Sequence, residues 1–355
     1  MSTARRAAVI GTGLIGGSVG LRLRRNGWYV SGQDDDPAVA ARALDLGAVD
    51  AVGPDIGAEL TFVATPVGAV ASVARALLAD GAAVVTDVGG VKAPVVSGVD
   101  DPRFVGGHPM AGSEQDGVDA ARSDLFEGAT WVLTPDTATD ESAYTLVRSV
   151  VSSLGADVIA LAPERHDALV AIVSHVPHLT AATLMGLADD RTDEHRALLR
   201  LAAGGFRDMT RIAAGHPGIW PDICGENRAA VVDGLDRLIG ALAEIREVVD
   251  TGDRDGLLRR LETARAARTN LPPRYVRPGD LVEMRLPIPD RPGALAEVTT
   301  TATDLDVNIT DLEIAHSTEG GGGVLIVLVE ATDADALADG LEPLGYHVTS
   351  RRTLT

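Results

Sequence analysis

The chain has 355 residues, enough for two or three domains, and 45% of them are hydrophobic, which is ordinary for a soluble globular protein. Its net charge of −20 opposes binding to nucleic acid and to anionic membranes. The sequence shows no apolar run of about 18 residues and no signal peptide, and its single cysteine, Cys224, excludes a disulfide framework. We therefore expect a cytoplasmic protein that binds neither nucleic acid nor a membrane.

Residues 1–162 are predicted to form a dinucleotide-binding domain of the α/β class. Short β-branched apolar runs alternate there with segments of helical spacing, which is typical of a Rossmann-type doubly wound parallel sheet. The predicted strands are 7–10, 29–32, 61–64, 83–86, 131–133 and 157–160, and the clearest helices are 67–78 and 141–154.

A glycine motif follows the first predicted strand and opens a helix; it consists of Gly11, Thr12, Gly13, Leu14, Ile15 and Gly16. Its first glycine permits a tight turn, the second lets the backbone approach a pyrophosphate, and the third packs helix on strand. Asp34 ends the second strand and is predicted to bind ribose hydroxyls. With no arginine nearby to hold a 2′-phosphate, the motif predicts NAD rather than NADP; the alternative is an incidental glycine turn.

A second candidate site lies nearly a hundred residues further on. His108 stands between Gly107 and Pro109, in a segment that we expect to form a glycine-loosened turn at the end of a strand. Ligands of doubly wound sheets bind beyond the carboxyl ends of the strands. A neutral imidazole there can accept the proton of an alcohol as hydride leaves, whereas the alternative is a solvent-exposed loop histidine.

Residues 163–270 have the pattern of a helical domain. Pro163 suits the first turn of a helix, and Pro177 is expected to kink that helix. The stretch 222–249 is apolar near the helical period. Helices this long often pair with a second subunit, so a homodimer is predicted.

Three polar residues of this region are candidate site residues. His175 and His178 lie three apart, on one helical face, but no third ligand is spaced for a metal, and none is predicted. A second histidine that contacts substrate is favoured over a buried structural one. Arg211 follows a glycine break and either belongs to a charged surface or binds a carboxylate through its two-pronged guanidinium.

Residues 271–279 read as a linker, and residues 280–355 follow a ferredoxin-like βαββαβ pattern. The predicted strands are 282–286, 307–314, 323–329 and 346–350, and the predicted helices are 293–305 and 333–341.

Over residues 6–270 the chain resembles the prephenate/arogenate dehydrogenases of tyrosine biosynthesis. The markers, in order, are segments 11–18, 63–67, 87–92, 107–112, 174–178 and 205–213. The resemblance implies that His108 is the base that contacts the ring hydroxyl, that Arg211 binds a substrate carboxylate, and that the helical domain dimerises. It also implies pocket and cofactor residues, which are His178, Trp220, Thr65 and Pro66.

The activity implied is NAD-dependent oxidative decarboxylation of prephenate to 4-hydroxyphenylpyruvate, in which aromatisation supplies the driving force. Arogenate dehydrogenase is the first alternative, and a non-catalytic amino-acid sensor is a remote one. The sequence departs from the family at Gly90, where many members have a serine whose hydroxyl helps to hold the substrate alcohol.

The C-terminal region resembles an ACT domain. Such domains bind amino acids at a helix N-terminus, which implies an effector such as tyrosine or phenylalanine; the alternative is a structural appendage. The residues that carry this prediction are Asp290, Pro292, Gly293, Leu295, Asn308 and Ile309.

Overall fold

The structure is a computed structural model that describes residues 4–113, 115–189, 202, 204–269, 281–289, 291–316 and 322–353. The chain divides into two compact units, Met1–Asn270 and Leu271–Thr355. The predicted linker at 271–279 lies outside the described residues.

Eight strands of the first unit form one sheet in the order β3-β2-β1-β4-β5-β6-β7-β8. They are β1 (Arg6–Ile10), β2 (Tyr29–Gln33), β3 (Ala51–Val52), β4 (Leu60–Val63), β5 (Val85–Asp87), β6 (Phe104–Pro109), β7 (Thr130–Thr134) and β8 (Asp157–Ala160). Neighbouring strands are parallel except β6 and β7. The predicted doubly wound fold is confirmed, and β3, β6 and the antiparallel pair were not predicted.

The expected turn around His108 is wrong, because Gly106 to Pro109 belong to strand β6. Here the glycines reflect close packing rather than a bend. A Cβ on Gly106 would lie 2.4 Å from the hydroxyl of Thr134, and one on Gly107 would lie 2.6 Å from the carbonyl oxygen of Asp87. His108 therefore has a fixed backbone, paired with Val132 of β7.

Helices cover the sheet, and the strand order reverses between β1 and β4, where doubly wound folds bind their ligands. The helices that precede or connect the strands are α1 (Leu14–Arg25), α2 (Pro37–Asp45), α3 (Val67–Ala79), α4 (Ala93–Ser97) and α5 (Glu141–Ser153).

The described part of the chain after β8 is helical up to residue 269. Its helices are α6 (Pro163–Val170), α7 (Val176–Asp189), α8 (Gly204–Thr210), α9 (Trp220–Glu226), α10 (Arg228–Asp250) and α11 (Arg254–Thr269). A π-helical turn, Ala171–His175, joins α6 to α7. It widens the helix just before Pro177, whose ring would clash with a carbonyl of a regular preceding turn. The continuous helix expected from 222 is interrupted at Asn227.

Within the described residues, one helical stretch, Pro163–Ala188, is long and apolar enough to span a membrane by length and composition, and a single helix of this kind is weak evidence for a span. No such stretch was expected, although its residues 168–188 contain no Asp, Glu, Lys or Arg. It contains the polar residues His166, Asp167 and His175, which are buried inside the protein.

The second unit is a four-stranded antiparallel sheet in the order β10-β11-β9-β12, with two helices. Its elements are β9 (Leu281–Pro289), α12 (Ala294–Asp304), β10 (Ile309–His316), β11 (Gly322–Glu330), α13 (Ala334–Leu341) and β12 (Ser350–Thr353). The predicted ferredoxin-like fold is confirmed. The last strand begins at Ser350 rather than at 346, because Tyr346 is drawn into the core beneath the helices.

Candidate active site

The glycine motif leads from β1 into α1 and has the shape that a dinucleotide needs. Gly11 has a φ of +89°, and a Cβ there would lie 2.4 Å from the carbonyl oxygen of Ala64. A Cβ on Gly16 would lie 1.9 Å from the carbonyl oxygen of Gly11, so both positions require glycine. Above Gly13 the space is open, which leaves room for a pyrophosphate against the first amides of the helix.

A cleft of about 490 Å³ begins at this motif. Thr65 and Pro66, between β4 and α3, line it together with Gly90 and the start of α9. Thr65 also has a buried hydroxyl without a hydrogen-bond partner in the protein. These features fit the predicted cofactor, and the cleft volume lies in the usual range of about 300–1,000 Å³ for ligand pockets.

Asp34 lies at the end of β2, beside the glycine motif. The backbone N–H of Thr12 donates to one carboxylate oxygen at 2.7 Å, and the N–H of Asp36 donates to the other at 3.1 Å. The loop thus holds the carboxylate at the edge of the cofactor site.

A buried ion pair fixes the backbone in front of His108. The ammonium of Lys92 donates to the carboxylate of Asp87 and, at 2.9 Å, to the carbonyl oxygen of Gly107. The N–H of Gly107 donates to Asp87 at 3.0 Å. Both side chains of the ion pair are fully buried. The pair therefore binds both polar groups of the residue that precedes His108.

His108 heads a chain of hydrogen bonds that runs into the interior. Its Nδ1 lies 2.8 Å from Nε2 of His166, whose Nδ1 lies 2.8 Å from the carboxylate of Asp167. That carboxylate also accepts the backbone N–H groups of Lys92 and Ala93, at 2.7 and 2.8 Å.

When both rings are neutral, these bonds allow one tautomer for each. A carboxylate only accepts, so Nδ1 of His166 donates to Asp167, and its Nε2 is left to accept from Nδ1 of His108. The Nε2 lone pair of His108 is then unprotonated. It lies 3.7 Å from the position of a Cβ on Gly90, and Gly90 lines the cleft.

The surroundings of His108 also favour its neutral form. Burial lowers the pKa of His108 well below its ordinary value, and the neighbouring His166, Lys92 and His175 lower it further. At neutral pH the imidazole is thus a proton acceptor.

His175 is buried, unlike the histidine three residues later. The amide of Asn227 donates to the carbonyl oxygen of Asp167 at 3.0 Å and lies 3.3 Å from Nδ1 of His175. Burial lowers the pKa of His175 to about 4, although Asp167 opposes the shift. This histidine joins the helical segment to the chain of bonds from His108.

His178 and Trp220, which the family resemblance implies as pocket residues, lie side by side. Their rings stack with centroids 3.6 Å apart. Arg211 begins a short 3₁₀ helix, Arg211–Ala214, and is exposed. A Cβ on Gly215, directly after it, would lie 3.8 Å from the ring of His178. The structure thus places the segment of Arg211 beside this aromatic pair.

The residues predicted for an effector site do not all come together: Pro292, Gly293 and Leu295 lie at the start of α12, whereas Ile309 is level with Val282, at the opposite end of the sheet, and Asp290 lies outside the described residues. Gly293 caps the helix with a φ of +88°, Pro292 precedes it, and Leu295 lies in its first turn. Asn308 and Ile309 enter strand β10.

A polar network braces the same helix start and was not predicted. Arg291 donates to both carboxylate oxygens of Glu297, at 2.9 and 2.7 Å, and the hydroxyl of Tyr346 donates to Glu297 at 2.6 Å. The hydrogen bonds from Arg291, and then from Tyr346, lower the pKa of Glu297 to about 2.

The sequence did not identify His166, Asp167 or Asn227 as site residues. The first two gave only a weak signal, because they directly follow Glu164 and Arg165 and so resemble part of a charged first turn. Asn227 carried no comparable signal, since an asparagine at a helix break is usually only a cap.

Comparison with known proteins gives three family matches along the chain. The model for the nucleotide-binding domain of prephenate dehydrogenase matches residues 19–160, and the model for its dimerization domain matches residues 162–263. The ACT domain model matches residues 288–344.

Individual relatives agree with these matches. Prephenate dehydrogenase from Bacillus subtilis is 34% identical over 91% of this chain and 91% of its own length. The crystal structure of prephenate dehydrogenase from Aquifex aeolicus with hydroxyphenyl propionate and NAD+ superposes with a TM-score of 0.70, at 31% identity over 75% of this chain and 98% of that chain. Synechocystis arogenate dehydrogenase superposes with a TM-score of 0.65, at 30% identity over 74% of this chain and 99% of that chain.

Proposed function

The chain belongs to the prephenate dehydrogenase family, and on that premise we propose that it converts prephenate, with NAD+, to 4-hydroxyphenylpyruvate, carbon dioxide and NADH. It is an NAD-dependent dehydrogenase with a Rossmann-type domain and an ACT domain. The observation that carries the proposed reaction is the contact of His108 Nδ1 with His166, which leaves Nε2 on the side of Gly90, in the cleft that starts at the glycine motif.

His108 acts as the base in this proposal. Its Nε2 accepts the proton of the ring hydroxyl, and the bond from Nδ1 to His166 keeps that nitrogen available. Bound NAD+ supplies the hydride acceptor. The protein must also orient the two carboxylates of prephenate. Because the chain has a net charge of −20, this requires a cation placed close to the substrate.

Arg211 meets that requirement in the proposal by holding a substrate carboxylate, with His178 and Trp220 forming the adjacent wall. A guanidinium offers two parallel donors, which matches a carboxylate better than an ammonium does. Arg211→Ala should raise KM for prephenate strongly with little change in KM for NAD, and Arg211→Lys should not restore it. Full rescue by lysine would argue for charge alone.

The glycine motif, Thr65, Pro66 and Asp34 hold the cofactor in the proposal. The carboxylate of Asp34, fixed by the Thr12 amide, suits ribose hydroxyls and repels a 2′-phosphate. We expect kcat/KM to be much higher with NAD than with NADP. Equal values for the two cofactors would contradict the assignment of Asp34.

The decisive experiment compares His108→Asn with the unmodified protein, using prephenate and then arogenate as substrate. The variant should lose roughly 10²–10⁴-fold in kcat, because an amide cannot accept the proton, while its affinity for NAD stays unchanged. In the unmodified enzyme, kcat/KM should fall only below about pH 6.5, since the base is active when neutral and its pKa is lowered. Near-normal turnover by the variant would remove His108 as the base.

Arogenate remains the alternative substrate, since an arogenate dehydrogenase is among the structural neighbours. Its side chain differs from that of prephenate by an amine in place of the keto group. The ratio of kcat/KM for the two substrates decides between them.

The proposal includes a homodimer and a cytoplasmic location. Helices α10 and α11 expose large apolar side chains, which suit burial against a second copy: Ile239, Leu242, Val249, Leu258 and Leu261. The ACT unit is proposed to bind tyrosine or phenylalanine at the start of α12, beside Gly293 and Leu295. Calorimetry with each amino acid tests this, and no heat of binding would leave the unit structural.

A further inference from the structure

The proposed reaction releases no net proton. Prephenate enters as a dianion, and 4-hydroxyphenylpyruvate leaves as a monoanion with neutral carbon dioxide. The ring hydroxyl loses its proton and C4 loses hydride to NAD+. The bond from C1 to its carboxylate then breaks, and its electron pair aromatises the ring and returns negative charge to the same oxygen. That oxygen must regain a proton, so the base has only to hold one proton and return it.

The interior beside His108 is suited to holding a proton rather than exporting it. His166 and Asp167 lie beyond His108 in a line of two 2.8 Å contacts, and both side chains are buried. The far end is closed by the backbone N–H groups of Lys92 and Ala93, which donate to the carboxylate of Asp167. Along these contacts the line ends at Asp167.

The charges around the line favour the proton at its inner end. His108 lies near the ammonium of Lys92, whose partner is Asp87, and both His166 and His175 also disfavour a positive charge on it. His166 instead contacts the carboxylate of Asp167 directly. A proton that moves from the first ring to the second therefore moves to the ring that adjoins a negative charge.

We propose that His166 and Asp167 store the substrate's proton during each turnover. As Nε2 of His108 takes the hydroxyl proton, the proton on its Nδ1 passes to Nε2 of His166, which becomes an imidazolium beside Asp167. Both transfers reverse when the phenol oxygen regains its proton. This inference rests on His108 being the base, and His166 is a positioning residue because it acts through His108.

The test is a proton inventory, which measures kcat in mixtures of H₂O and D₂O. Prephenate deuterated at C4 is the substrate, so that hydride transfer limits turnover. If two protons move in the step that limits turnover, a plot of kcat against the deuterium fraction should be curved for the unmodified enzyme.

His166→Gln is the matched variant. Its amide oxygen still accepts the Nδ1 proton of His108 as a hydrogen bond but takes up no proton, so the inventory should become a straight line. We expect kcat to fall roughly 10–100-fold, with KM for prephenate and the Kd for NAD within about twofold of normal. A merely structural role would not change the shape of the inventory.

A measurement without turnover tests the tautomers directly. In the unliganded protein at neutral pH, ¹⁵N NMR of labelled histidine should show Nδ1 of His166 protonated and its Nε2 unprotonated. The opposite tautomer would overturn the proposal, as would a straight-line inventory in the unmodified enzyme or more than half of the normal kcat in His166→Gln. Loss of activity in His108→Asn together with a fully active His166→Gln would refute proton storage and leave the base assigned.

Discussion

Each compact unit contains an ion pair close to a proposed ligand site, and the two pairs differ in their surroundings. The pair of Lys92 and Asp87 is fully buried, whereas the side chains of Arg291 and Glu297 are 48% and 37% exposed. The buried pair binds the backbone on which His108 is carried. The exposed pair braces the start of a helix from outside.

The comparison shows that the same type of bond has different consequences at different depths. A buried charge has no solvent to replace a lost partner, so its geometry is held strictly. An exposed pair is screened by water and salt, and its partners can separate at little cost. Rigid positioning is thus expected around His108, and adaptability is expected around Gly293.

The largest expected effect is on removing Lys92. Lys92→Met would leave the carboxylate of Asp87 buried without its cation, and breaking a buried pair in this way costs about 3–5 kcal/mol in the free energy of unfolding. Urea denaturation measures the loss. A loss no greater than that of the exposed pair, broken by Arg291→Met, would contradict the comparison.

The next effect is on the pH dependence of stability. The pKa of His175 is lowered to about 4, so the unfolded state binds its proton first as pH falls below about 6.5. The contribution of His175 to the free energy of unfolding is therefore fully present above pH 6.5, and it falls by about 3 kcal/mol as the pH is lowered to 4. Unfolding free energies at several pH values measure the slope.

The control for that slope is His175→Gln, whose amide oxygen can still accept a bond from Asn227. The slope between pH 4 and 6.5 should be shallower in this variant, because a titrating group has been removed. An unchanged slope would show that other groups cause the decline.

A smaller effect is expected from an uncharged member of the buried network. Asn227→Leu leaves the carbonyl of Asp167 and Nδ1 of His175 without their donor, at a cost of about 1–3 kcal/mol. Thermal unfolding measures it. If the loss matched that of Lys92→Met, charge would not be what distinguishes the buried pair.

The smallest effect is expected at the exposed pair. Arg291→Met should leave the melting temperature almost unchanged, because water solvates Glu297 once its partner is gone. Raising the salt concentration should make the variant and the unmodified protein indistinguishable. A clear loss of stability would mean that this pair contributes more than its exposure indicates.

Much of this architecture was predictable from the sequence, and the exceptions have physical reasons. Strands such as β1 and β4 are apolar runs beside turn residues, and the glycine motif stands in its usual context. Strand β6 was missed because Gly106 and Gly107 are poor strand formers, and only the close approach of Thr134 and Asp87 explains them.

The residues of the candidate site also fall into two groups, those that the sequence identified and those that only the fold brings together. His108 and the glycine motif were found because they occur in short recognisable patterns, and their assigned roles remain proposals. The line from His108 to His166 and Asp167 joins residues 58 and 59 positions apart in the chain, so it exists only once β6 and α6 pack together. The bond from Asn227 to Asp167 spans 60 positions and is equally invisible to local patterns.

Lys92 is the only lysine in the chain, and in the native protein its amine is fully buried. Amine-directed reagents, which modify most proteins at many exposed lysines, will therefore find this ε-amine only when the protein around it opens. The rate at which the side chain is acylated would report that opening from a single position, as hydrogen exchange does for backbone amides. The acylation rate of Lys92 would thus measure how often the segment that supports His108 opens.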